Sequence, residues 1–219
     1  MSLADGGGVS VIPLMGGGHA ANYLEFVLTG SCLKQYLPDL LERLKGISDP
    51  GAITFKEHAM SFVQKDKEGG KHATLRVRRP LLNVMDNLWH IRYIGHEDGE
   101  LTNSCPCVVR KVIDTLCECN DMMVFLKELG FRLEHEYVAE GHAFAKGRLK
   151  VNVSRLFKIT VLGDVRHTEP LTDSALVELS AVLQQGAADD PQLFAKAMRD
   201  FADQLKPIVH MEKLSDQVV

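Results

Sequence analysis

The apolar positions along the chain repeat with two periods. In HATLRVRR (72–79), Ala73, Leu75 and Val77 alternate with Thr74, Arg76 and Arg78. That period of two places one face of a strand on a core and the other in water. In LKQYLPDLLERLKGI (33–47), Leu37, Leu40, Leu41 and Leu44 recur at helical spacing, and Gly46 is the expected stop. By the same reading NYLEFVLTGS (22–31), ITFKEHAMSFVQK (53–65) and LWHIRYIGH (88–96) are predicted strands, with a turn at Lys67, Gly69 and Gly70. Residues 107–129 are predicted to be helical. Val109, Val112, Ile113, Leu116 and Met123 form the stripe, and Ser104 and Pro106 stand at the start. FRLEHEYVAEGHAFAKGRLKVNVSRLFKITVLG (131–163) is strand-rich, with turns expected at Gly141 and Gly147, and SALVELSAVLQ (174–184) adds a strand. DPQLFAKAMRDFADQLKPIV (190–209) is an amphipathic helix. Its expected apolar face is Leu193, Phe194, Ala197, Phe201 and Leu205, and Pro207 ends it.

Residues 1–19 carry six glycines and no clear periodicity, so they are expected to be a flexible tail. Residues 20–214 read as one domain and 215–219 as a short C-terminal tail. Consecutive strands joined by short turns favour antiparallel pairing. The fold class is therefore α+β: a large antiparallel sheet able to close into a β-barrel, with flanking helices.

Composition narrows the function classes. The chain has 219 residues, of which 45% are apolar and 25% charged. It can bury a core without metal or disulfide staples. A net charge of −4 argues against broad nucleic-acid binding, which usually needs a basic face. No run reaches the ~18 apolar residues of a membrane span. The N-terminus lacks a basic n-region and is broken by glycines, so a signal peptide is not expected. Five cysteines then read as reduced thiols in cytosol or nucleus.

Four of those cysteines crowd into CPCVVRKVIDTLCEC (105–119). Zinc sites prefer C-x2-C pairs, whereas Cys105, Cys107, Cys117 and Cys119 make two C-x-C pairs. On the expected helix, Cys117 and Cys119 would point about 160° apart. Small apolar packing residues are the simpler reading, with Cys105 and Cys107 exposed and oxidisable ahead of the first turn.

RLEHEY (132–137) carries the sharpest catalytic candidate. On a strand, Glu134 and Glu136 would share a face. Lining a barrel, they could hold a divalent metal against a phosphate. A solvated face bearing Arg132, Glu134, Glu136 and Glu140 explains them more simply. His135, with Leu133 and Tyr137, is expected to pack on the opposite face. The nine histidines form no H-x3-H or H-E-x-x-H pattern, and no nucleophile elbow or P-loop occurs. Arg76, Arg78 and Arg79 form a small basic cluster, best explained as a solvated strand face. Trp89, the one tryptophan, is expected in a core or interface beside Ile91 and Tyr93.

Three separated motifs resemble the metazoan form of the Mediator subunit 18 family. W-H-x-R-Y-x-G is present as Trp89, His90, Arg92, Tyr93 and Gly95. G-F-R-x-x-H-E-x-V-x-x-G-H is present as Gly130, Phe131, Arg132, His135, Glu136, Val138, Gly141 and His142. Q-L-K-P-x-V-H is present as Gln204, Leu205, Lys206, Pro207, Val209 and His210. A looser start keeps Tyr23, Leu24, Gly30 and Ser31, and the resemblance spans roughly residues 20–214.

The resemblance implies a helix-flanked antiparallel barrel akin to the tunnel fold of RNA triphosphatases. It implies pairing with subunit 20, docking of the C-terminal helix of subunit 8, and contacts with the rest of the head module and RNA polymerase II. It carries over no catalytic, cofactor or metal residues. The triphosphatase pattern E-x-E-x-K is broken here, because Val138 stands where the lysine would be. The only other such segment, EDGE (97–100), reads as a turn.

The leading expectation is a non-enzymatic structural subunit of a nuclear transcription complex, with no sequence-specific nucleic-acid contact, no membrane and no cofactor. No classical import signal is evident, so entry into the nucleus is expected to depend on assembly. The alternatives are a metal-dependent phosphohydrolase using Glu134 and Glu136, and a barrel binding a small anion through Arg76 and Arg78.

Overall fold

Ten strands form one antiparallel sheet, and eight of them close on each other. The computed structural model describes residues 10–13, 23–65, 70–82, 88–161, 163–184 and 190–214. The strands are β1 (Ser10–Pro13), β2 (Tyr23–Leu33), β3 (Ile53–Lys65), β4 (Lys71–Pro80), β5 (Leu88–Glu97), β6 (Val108–Glu118), β7 (Arg132–Lys146), β8 (Leu149–Ile159), β9 (Thr168–Pro170) and β10 (Ser174–Gln184). The helices are α1 (Leu37–Ile47), α2 (Gly99–Ser104), α3 (Met122–Glu128) and α4 (Pro191–Asp203). Around the barrel the order is β6-β2-β10-β8-β7-β3-β4-β5, and β5 pairs back onto β6. This closure satisfies every edge but two short additions, β1 on β6 and β9 on β8. β1 falls inside the segment expected to be a tail. The rest of that segment, the expected turn at Lys67 and Gly69, and residues 215–219 lie outside the described residues.

Two apolar layers lie outside the barrel wall. The larger packs Phe26 and Leu28 of β2, Val151 and Val153 of β8 and Val177 and Leu179 of β10 under α1 and α4. The smaller packs Met60 and Phe62 of β3, Val77, Trp89, Ile91 and Cys117 under Met122 and Leu126 of α3. Asp98, Asp121 and Asp190 each cap a helix by accepting a backbone N–H, from Leu101, Val124 and Gln192.

The cysteine-rich stretch departs from expectation. It is a strand, β6, with α2 before it and α3 after it, not one helix over 107–129. Ser104 closes α2 and opens nothing. The apolar residues of β6 point both ways: Val109 into the larger outer layer, Val112 toward the inside. A strand buried on both faces loses the clean alternation that identifies it, and its apolar spacing then also fits a helix. The β-branched residues Val108, Val109, Val112, Ile113 and Thr115 were the strand signal.

Other differences are smaller. Gly46 lies within α1, which ends at Ile47. Gly141 is mid-strand: a Cβ there would stand 1.9 Å from the Val153 carbonyl oxygen, so the glycine lets β7 and β8 approach. The turn falls at Gly147 as expected, with φ of 56°. The buried face of α4 is Ala195, Met198, Phe201 and Ala202, while Leu193 and Ala197 face outward. Beyond α4 the chain crosses β2. Thr29 and Glu212 exchange backbone hydrogen bonds of 2.9 and 2.7 Å, and Gly30 leaves room for His210 and Val209.

Candidate functional site: a charged barrel lumen

On each barrel strand the residues alternating with the outer layers point inward, and many are ionisable. β2 supplies Glu25, β3 Glu57, β4 Arg76 and Arg78, β5 His90 and Arg92, β6 Arg110 and Asp114, β8 Lys150 and Asn152, and β10 Glu178. Arg76 and Arg78 therefore face the barrel interior, where Arg78 lines a cavity, which corrects their reading as a solvated face. The alternation was right; what lay beyond the polar face was not water but the opposite wall.

Glu25 is the centre of this network. Its side chain is 3% exposed, and it accepts from Arg92 and, at 2.9 Å, from Nε of Arg110. Burial alone would raise its pKa, but the charges of Arg92 and Arg110 outweigh burial and the net shift is downward. Asp114 receives both Nε and Nη2 of Arg92, at 2.7 and 2.8 Å, and Nε2 of His90 at 2.8 Å. Burial opposes its ionisation too, yet His90 and Arg92 hold its carboxyl well below the usual range. The Arg92–Asp114 contact is bidentate, which fixes the guanidinium plane. Glu57 lies 3.6 Å from Nε of Arg78. Burial, then Arg78, press the pKa of Lys150 down against the pull of Glu57.

The carboxylate pair of β7 is not part of this lumen. The β3–β7 register shifts between Ser61 and Phe62, a bulge that breaks the alternation at Glu134 and His135. Glu136 sits on the outer wall opposite Met60. It accepts from Nε2 of His58 at 2.8 Å and from the Gly163 N–H at 3.2 Å. Glu134 is one-third exposed, 3.8 Å from His135. The two carboxylates thus do not form a metal pair in a tunnel. His135 is not packed either: its side chain is 57% exposed and stacks on Tyr137.

The cysteines are all buried, which corrects the expected exposure of Cys105 and Cys107. They divide between the two outer layers, Cys105 and Cys107 in the larger, Cys117 and Cys119 in the smaller. That separation, and not a helical arrangement, keeps the four apart. Among the described residues no group of three or more His, Cys, Asp or Glu side chains is placed to hold a metal. Trp89 packs in the smaller layer as expected. Its indole N–H donates to the Cys119 carbonyl at 2.9 Å, and Arg79 lies 4.9 Å over its ring.

Glu25, Arg110, Asp114, Lys150 and Glu178 were not singled out in the sequence. The signal was there, as a charge every second residue on several strands, but a solvated sheet face gives the same pattern.

Comparison with known proteins agrees with the motifs. Residues 63–217 match the model of a family described as Med18 protein. The chain is 40% identical over 208 residues to Mediator of RNA polymerase II transcription subunit 18 of Danio rerio, covering 94% of this chain and 95% of that one. It is 39% identical over 195 residues to the Caenorhabditis elegans protein of the same name, covering 87% and 82%. The fold is similar to a chain in the Schizosaccharomyces pombe Mediator head module, with a TM-score of 0.68 at 14% identity over 87% of this chain and 98% of that one. It is also similar to a putative adenylyl cyclase from Hippeastrum with a dominant triphosphatase activity, with a TM-score of 0.50 at 10% identity over 89% and 94%.

Proposed function

The chain belongs to the Med18 protein family, and from that premise we propose that it is a structural subunit of the Mediator head. In this reading it serves transcription by RNA polymerase II through protein contacts and not through catalysis. The single observation that carries the reading is the end-to-end match to subunit 18 relatives near 40% identity. The placement of Glu136 supports the non-catalytic part, because a buried histidine and a backbone N–H already occupy its carboxylate.

The partners are subunit 20, forming a heterodimer, and the C-terminal helix of subunit 8; the location is the nucleus. The closed barrel leaves only the short strands β1 and β9 at its edges among the described residues, so these contacts use mainly outer-wall side chains and helices. Co-expression with subunit 20 tests the pairing. A single 1:1 species on size-exclusion chromatography, which then retains a subunit 8 C-terminal peptide, is expected. Separate elution of the two subunits at micromolar concentration contradicts it.

A further inference from the structure

The lumen holds more positive charge than its own carboxylates take up. Glu25 and Asp114 are already engaged by Arg92, Arg110 and His90, and Glu57 stands near Arg78. Arg76, Lys150 and Glu178 remain, so the five cations of the lumen outnumber its four carboxylates. Among the described residues neither Arg76 nor Lys150 has a carboxylate within ion-pairing distance, although Glu25 lies in the field of Arg76 and Glu57 and Glu178 lie in that of Lys150.

The strand register sharpens the imbalance. Arg76 lies directly opposite Arg92 across β4 and β5, and Arg78 directly opposite His90. Like charges in such positions destabilise a sheet, and in a half-enclosed lumen water screens them less than at a surface. Arg92 is held in this arrangement from behind by Asp114 and Glu25. Lys150 reaches in from the opposite wall, paired in register with Ser180 of β10. Beside it the Asn152 side-chain oxygen is buried with no hydrogen-bond partner. Lys150, Asn152, Arg78 and Arg92 line one cavity of about 470 Å³, with Glu57 and Glu178 also on its wall. At about 30 Å³ per water, this space is ample for a phosphate group.

We propose that this cavity binds a small multivalent oxyanion of the phosphate class, held by Lys150 and Arg78. Arg92 is part of the cavity wall, its guanidinium held in place by Asp114 and Glu25. A dianion supplies the missing counter-charge through charge-assisted hydrogen bonds, and Asn152 is free to accept from a protonated phosphate oxygen. This site lies inside the barrel, so its test is independent of the Mediator reading.

The test is calorimetric titration of the full chain with inorganic phosphate and with tripolyphosphate at constant ionic strength, against chloride. Saturable binding is expected. Lys150→Gln and Arg78→Gln should each weaken it roughly tenfold or more, while Lys196→Gln on the exposed side of α4 leaves it unchanged. Preference for tripolyphosphate would mean that several cations act together; preference for phosphate would confine the ligand to the Lys150 end. Amide resonances of β4 and β8 should shift in the wild-type protein, a readout that needs no variant. No saturable binding at millimolar anion would overturn the proposal. So would binding that survives both lumen substitutions, or shifts confined to surface residues.

Discussion

Arg92 and Asp114 face each other across β5 and β6 and share two parallel hydrogen bonds inside the barrel, while the same guanidinium also reaches the buried Glu25. One residue of a sequence motif thereby ties together three strands of the closed wall. His90, two residues earlier in that motif, binds the same carboxylate, and Trp89 between outer layer and strand anchors the other side.

Removing the buried carboxylate should be costly. Glu25→Ala removes the carboxylate that Arg92 and Arg110 share, and breaking such a buried pair costs about 3–5 kcal/mol. Urea unfolding should show a lower midpoint with an unchanged slope. A loss below about 1 kcal/mol would mean that water already screens the network.

Stability should fall on mild acidification, through His58. Its Nε2–H donates to Glu136, and its Nδ1 is buried with no partner. A second proton would leave an unpaired N–H in the wall. Burial accordingly depresses the His58 pKa, although Glu136 pulls the other way. With the folded value below the unfolded value of 6.5, the contribution is present above pH 6.5 and is lost as pH falls through the folded value. Glu25 and Asp114, also depressed, add losses below their unfolded values of 4.5 and 3.8. Urea midpoints at pH 7.5 and 5.5 should differ, and His58→Gln should reduce the difference. An NMR titration placing His58 above 6.5 would refute this.

Two glycines should respond oppositely to alanine. Gly141→Ala drives a methyl into the Val153 carbonyl. It should destabilise by about 3 kcal/mol or more, beyond ordinary overpacking, since backbone must move. Gly46→Ala meets nothing within 4 Å and should stabilise α1 by about 0.5 kcal/mol. Thermal melts of the two variants give both signs at once.

The thiols should be silent in the folded protein. All five cysteines are buried, and burial pushes the Cys107 thiol up to about 12. A thiol reagent at pH 8 should label almost none natively and all five in guanidinium. Rapid native labelling of Cys105 or Cys107 would contradict the packing described.

Much of the wall was legible in the sequence, because β4 alternates apolar with polar residues, β5 and β10 largely alternate between buried and less buried residues, and β2 and β3 are rich in aromatic and β-branched residues. β6 was not, since apolar residues stand on both its faces. The lumen escaped for a related reason. Arg76, Arg78, Lys150 and Glu178 alternate with core residues as any wetted strand would, and only barrel closure, a long-range property, decides whether that face meets solvent or another wall. Glu134 and Glu136 illustrate a local failure: a single bulge in β7 breaks the shared face that strict alternation assigns to them.

The central claim, membership of a working Mediator head, is tested most directly by affinity purification of the tagged full chain from nuclear extract, with mass spectrometry of the proteins retained. Recovery of the head subunits, with subunits 20 and 8 among the most abundant, is the expected result. A clean bait that retains neither, under conditions that keep other head subunits together, would contradict it.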